Sequence, residues 1–192
     1  MNMTNNLLDS YRDFLIQYNE KLNLVSRRNV EGIIPRLISE SLVALDWNIC
    51  EIKSPMLDIG SGGGIPGIPL KIVRPDLSVE LLDSNHRKTL FLQTLIQFLS
   101  LKNVGVISDR AEKVATDILY SNRYNTIVTR GVAPMEKLLL WGSHLLKPGG
   151  ELIVWKGSRV YTELTHLNMD GWDGPEFKRL PNGPVIVWFQ RV

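Results

Sequence analysis

The run LDIGSGGGIPGIPL, Leu57 to Leu70, places Asp58 ahead of five glycines, Gly60, Gly62, Gly63, Gly64 and Gly67. Glycine permits a positive φ and lets a ligand lie directly on the main chain, and it costs chain entropy where neither is needed. A cluster this dense marks a loop built around a ligand. Two spacings coexist in it. Gly62, Gly64 and Gly67 fit G-x-G-x-x-G, the dinucleotide pattern, with Asp83 at the distance expected of a ribose-binding acid. Asp58, Gly60, Gly62 and Gly64 also fit D-x-G-x-G-x-G, in which the acid precedes the glycines. Asp58 can serve either as an acid beside a ligand or as a cap on the following turn. Further along, Arg130 and Lys156 each follow an apolar run, where a cation can bind a carboxylate or phosphate or make a surface ion pair.

These residues need a scaffold, and the apolar periodicity supplies one. NLLDSYRDFLIQYNEKLNLVS carries Leu7, Leu8, Tyr11, Phe14, Leu15, Tyr18 and Leu22 at helical spacing, and a second helix is expected from Val30 to Asp46. After Pro55 the pattern alternates. Strands are expected at Met56–Ile59, Ser78–Asp83, Val104–Ser108, Thr126–Arg130, Glu151–Lys156 and Val185–Arg191. Helices are expected at Ile68–Val73, Arg87–Leu101, Ala111–Leu119, Pro134–Leu146 and Ser158–Leu167. Pro66 and Pro69 suit a first helical turn, whose N–H groups have no intrahelical partner. The alternation implies an open, mainly parallel α/β sheet with its ligand at the carboxyl ends of the strands. Residues 1–54 then form a helical extension packed on a domain spanning 55–192.

Composition narrows the class. With 192 residues and 44% hydrophobic content the chain can bury one good core. A single cysteine, Cys50, leaves no internal disulfide, and no signal peptide or long apolar span is apparent, so a soluble, cytoplasmic and monomeric protein is expected, with no membrane partner. The net charge of +2 permits a nucleic-acid partner without demanding one. His86, His144 and His166 lack metal-ligand spacing, so no metal is expected.

The helix after the glycines helps to separate the cofactors, and a segment far along the chain adds to it. It runs about two turns before Pro75, short for a pyrophosphate site, whereas S-adenosylmethionine carries no phosphate. Its methionine end can lie on the glycine backbone near Asp58 and Gly62, and Asp83 can accept from its ribose diol. HLLKPGGELIVWKG, His144 to Gly157, looks like the fifth-strand entry of class I methyltransferases, and GPVIVWFQRV fits the antiparallel last strand of that seven-stranded, Rossmann-like fold. A dehydrogenase, a non-catalytic module and a small-molecule methyltransferase are the alternatives.

The runs LDIGSGGGIPGIPLKIVRPD, LLDSNHRKTLFLQ, SDRAEKV, IVTRGVAP and LLKPGGELIVWKG, with YNEKLNLVS and PRLISESLVAL upstream, closely resemble the ribosomal RNA small subunit methyltransferase G family over nearly the whole chain. The resemblance implies methyl transfer from S-adenosylmethionine to N7 of one guanine of 16S ribosomal RNA in the small ribosomal subunit. Carried over motif by motif, it implies cofactor contacts from Gly60, Ile65, Asp83, Ala111, Glu112 and Arg130. The chain departs from the family at Arg36-Leu37 and Glu40, where many members carry Arg-His and an Asp three residues on from that His, and at Thr129-Arg130-Gly131, where many carry Ser-Arg-Ala. Candidate RNA contacts are Arg27, Arg28, Arg36 and Lys156.

The chain provides nothing for two other acceptor chemistries. It has no Asn/Asp-Pro-Pro-aromatic turn for an exocyclic amine after the fourth strand. Cys50 lies upstream of the cofactor segment, so no cysteine is placed for attack on a pyrimidine. Guanine N7 offers an in-plane lone pair and loses no proton, so no catalytic base is expected.

Overall fold

The computed structural model describes residues 3–26, 29–165, 167–181 and 183–192. Two helices come first, α1 (Met3–Leu22) and α2 (Val30–Leu42), the latter closing in a 3-10 turn at Val43–Asp46. Then follow β1 (Met56–Ile59), α3 (Gly67–Val73), β2 (Val79–Leu82), α4 (His86–Phe98), β3 (Val104–Ile107), α5 (Ala111–Thr116) and β4 (Tyr124–Arg130). The chain ends with α6 (Met135–Leu145), β5 (Leu146–Lys156), α7 (Val160–Leu164), β6 (Trp172–Arg179) and β7 (Val185–Arg191).

The sheet has seven strands in the order β3-β2-β1-β4-β5-β7-β6. β1 to β5 are parallel, and β7 runs antiparallel between β5 and β6. This is the class I methyltransferase arrangement expected from the sequence. Strand order reverses between β1 and β4, and in such sheets that point opens a crevice at the carboxyl ends.

Strand alternation divides the core in two. Met56, Val128, Ile153 and Trp155 face one helical layer, which contains Tyr11, Leu15, Ile34 and Ile38 of α1 and α2 together with residues of α3 and α4. Leu57, Ile59, Ile127, Leu152 and Val154 face the other, built on α5, α6 and α7. The N-terminal helices thus share the core of the face that carries the glycine loop.

β6 departs from the residue-by-residue expectation, since Trp172–Arg179 shows no apolar alternation and contains Gly174-Pro175. The register shifts between Asp173 and Glu176, bulging the strand at that dipeptide. An edge strand tolerates this because proline there forfeits no interior ladder bond. α5 also stops earlier than expected. The Asp117 carboxylate accepts from Leu119 N–H and starts a separate 3-10 turn, Ile118–Tyr120.

Candidate functional site

A cleft of about 540 Å³ opens at the carboxyl ends of the parallel strands. That volume suits a cofactor-sized ligand. Gly60, Gly62, Ile65, Asp83, Ala111, Glu112 and Arg130, seven residues singled out from the sequence, all line it.

The glycine loop leaves β1 and crosses to β2, with the N–H groups of Gly60 and Ser61 donating to Leu82 O at 2.7 and 3.0 Å. Gly62 has φ +56, in the left-handed region, and its N–H donates to Asp83 Oδ2 at 2.9 Å. The other oxygen, Oδ1, accepts from Asn85 N–H at 2.8 Å. Asp83 is therefore fixed by one backbone donor on each oxygen. Each oxygen retains acceptor capacity, and the carboxylate still reaches the cleft.

Asp58 does not line the cleft. It is fully buried beneath the loop, where Oδ2 accepts from Gly67 N–H at 2.9 Å and Oδ1 has no partner. Burial pushes its carboxyl up to about 7, against the pull of the Gly67 N–H, and the nearby Asp83 charge raises it further. The capping reading of Asp58 is the one whose geometry is present. Because Gly67 N–H is spent on Asp58, the start of α3 does not offer that donor to a phosphate.

Beyond β3, Asp109 and Arg110 join Ala111 and Glu112 along the cleft, and Leu24, Val25 and Leu37 approach from the N-terminal helices. Arg130 ends β4 with its side chain 18% exposed. Its Nη2 donates to Glu40 Oε2 of α2, while its buried Nη1 has no partner. Glu40 in turn lies 3.6 Å from Arg36 Nε, and its carbonyl accepts from Trp155 Nε1 at 2.9 Å. The glutamate noted as a departure is thus the partner that orients Arg130. Sequence reasoning did not pair them, because the two residues stand 90 positions apart.

The RNA candidates separate. Arg27 and Arg28 lie outside the described residues. Arg36 is half-exposed and stands off the cleft, tied loosely to Glu40. Lys156 is turned inward: its ammonium donates to Ala133 O at 2.8 Å and to Glu163 Oε2 at 2.6 Å, with the side chain only 10% exposed. Glu163 Oε2 also accepts from Met135 N–H at 3.0 Å. Lys156 therefore braces the Gly131–Pro134 loop from behind, and of its two readings, ion pair or phosphate contact, the ion pair is the one whose geometry is present. The cations that line the cleft without an ion-pair partner among the described residues are Lys88, Arg110 and Lys137. Nothing local distinguished them, since lysines and arginines at helix starts are commonplace.

Among the described residues no cluster of His, Cys, Asp and Glu could hold a metal ion, and no helix is long and apolar enough to cross a membrane.

Solved structures share this fold. A SAM dependent methyltransferase from Aquifex aeolicus superposes with a TM-score of 0.59 at 16% identity, covering 82% of this chain and 89% of its own. A mutant of MtNAS in complex with S-adenosylmethionine gives 0.63 at 14% identity, covering 97% and 72%. Sequence relatives are nearer. Ribosomal RNA small subunit methyltransferase G of Neisseria meningitidis serogroup C is 39% identical over 161 residues, 84% of this chain and 74% of that protein. The protein of the same name from Chromobacterium violaceum is 35% identical over the same shares. The profile of the rRNA small subunit methyltransferase G family matches residues 4–171, so the chain, cleft included, belongs to that family.

Proposed function

We propose that this protein binds S-adenosylmethionine in the cleft and methylates N7 of a guanine in 16S ribosomal RNA. One observation carries the cofactor choice: the N–H groups of Gly62 and Gly67 are already engaged by the carboxyls of Asp83 and Asp58. A pyrophosphate would find those donors spent and meet the Asp83 charge, whereas a sulfonium and an ammonium meet a complementary charge. The cofactor supplies an electrophilic methyl carbon on sulfur. Asp83 accepts from the ribose diol, the Gly60–Gly63 backbone carries the methionine portion, and the Asp109–Glu112 segment walls the adenine. Arg130 lines the cleft and is held by Glu40 through Nη2, which leaves the buried Nη1 unspent for an acceptor on a bound ligand.

N7 of guanine attacks with a lone pair and sheds no proton. The residues around the cleft then need to align N7, methyl carbon and sulfur, and such alignment contributes about 7–11 kcal/mol at best. No side chain is assigned as a base. Lys88, Arg110 and Lys137 carry the phosphate contacts, from three different elements around the cleft mouth. Family membership and these charges together support ribosomal RNA over a small-molecule acceptor.

The decisive measurement is mass spectrometry of nucleosides from 16S ribosomal RNA of cells with and without the protein. Loss of one 7-methylguanosine with the protein absent is expected. Loss of a methyl group from an amine or a ribose would refute the N7 assignment. Equilibrium binding should show S-adenosylhomocysteine retained and NAD ignored.

A further inference from the structure

The glycine loop has an outer face as well as an inner one, and the outer face is covered by α1. Tyr11 is fully buried, and its hydroxyl donates to Gly63 O at 2.9 Å. A buried phenol hydroxyl requires a partner, and here the partner is loop backbone 52 residues away. One turn further on, Leu15 presses against the same residue. A Cβ at Gly63 would stand 2.8 Å from Leu15 Cδ1 and 3.4 Å from Leu24 Cβ. Gly63 lacks a positive φ, so what a side chain there would meet is α1, and Leu15 or the loop would have to shift. Two turns along α1, Asn19 is 1% exposed and its Oδ1 accepts from Val25 N–H at 2.8 Å. That bond fixes the turn that brings Leu24 and Val25 to the cleft wall.

We propose that Tyr11 is a positioning residue for the cofactor: through Gly63 O it fixes the Gly60–Gly63 backbone on which the methionine portion lies, which makes α1 a working part of the cofactor site. Tyr11 is fully buried and does not itself line the cleft. The inference rests on the cleft's assignment to S-adenosylmethionine.

Tyr11→Phe removes the hydroxyl and keeps the ring. Its Kd for S-adenosylhomocysteine should rise about 3- to 10-fold, the worth of one ordinary hydrogen bond. The methyl-transfer rate at saturating cofactor should stay within about twofold, so the loss falls on cofactor KM and spares kcat. Phe14→Leu is the control, because Phe14 stacks on Tyr18 and Phe98 at 4.5 and 4.6 Å, contacts the loop does not share. It should lower the unfolding temperature and leave the affinity as in the wild type. A second test serves if Tyr11→Phe fails to fold. Gly63→Ala should weaken binding by pushing on Leu15, and adding Leu15→Val should restore part of the affinity by making room. Unchanged affinity in Tyr11→Phe, equal weakening in Phe14→Leu, or no rescue by Leu15→Val would overturn the proposal. A wild-type protein that ignores S-adenosylhomocysteine would instead overturn the cofactor assignment itself.

Discussion

At the residue scale, two aspartates that look alike in the sequence end in opposite environments. Asp83 faces the cleft with a backbone donor on each oxygen, so Asp83→Ala removes both the proposed diol acceptor and the tie on Gly62. Hydrogen bonds to a charged group are worth about 1.5–3 kcal/mol. Titration with S-adenosylhomocysteine should therefore show affinity falling by about tenfold or more, and thermal unfolding should show a smaller loss of stability from the freed loop. An affinity within twofold of wild type would take Asp83 out of the site. Asp58 is buried, and its folded-state value of about 7 lies above the ordinary 3.8. The folded protein therefore holds a proton that the unfolded chain releases between those values. Stability from this group is full below about pH 4 and is lost as pH rises toward 7, at up to about 1.4 kcal/mol per pH unit. Above 7 it changes no further. Asp58→Asn cannot titrate, so the stability difference between wild type and variant should slope across pH 4–7, and a flat difference would mean that Asp58 ionises normally in the fold.

At the element scale, the legible features are those whose signal is local. Glycines, prolines and an acid at fixed spacing made the β1–loop–α3 unit readable, and the five parallel strands declared themselves as apolar runs. β6 did not, because a bulged edge strand with Gly174-Pro175 has neither alternation nor an apolar run. The site residues divide the same way. Seven of the cleft residues stand in motifs, while Glu40 and Tyr11 owe their roles to contacts of α2 and α1 with groups 90 and 52 positions away, and Asn19 to a turn with no motif of its own. Lys156 shows the converse, since its place at the end of β5 is legible in the sequence while the choice between ion pair and phosphate contact is not. Direction depends on α7, whose Glu163 draws the ammonium inward. Lys156→Gln should consequently leave the salt dependence of RNA binding unchanged, whereas Lys137→Gln, at the cleft mouth, should lower the slope of log K against log salt by about one unit. Equal slopes for the two variants would put the RNA elsewhere.

At the scale of the whole molecule, the sheet gathers the β1 loop, Asp83, the start of α5 and Arg130 at one edge, and the N-terminal helices close that edge from the side. Among the described residues the carboxylates that line the cleft are Asp83, Asp109 and Glu112, all on segments assigned above to the cofactor. Asp58 is sealed beneath the loop, and Lys156 and Glu163 neutralise each other. Asp83 is held by two amides and faces the cofactor's side of the cleft. The proposed N7 chemistry requires no base, because the attacking lone pair carries no proton. A catalytic base would leave its ionisation in the rate profile. In single turnovers with RNA and cofactor saturating, the transfer rate should accordingly be nearly flat from about pH 6 to 9, the interval in which histidine and cysteine titrate. Cofactor affinity can still vary with pH through Asp58, which is why saturation is essential: it removes the binding equilibrium from the measured rate and leaves the chemical step. A tenfold rise following a single ionisation, with cofactor and RNA shown to be saturating at every pH, would require proton removal and would move the acceptor from N7 to an amine or a hydroxyl.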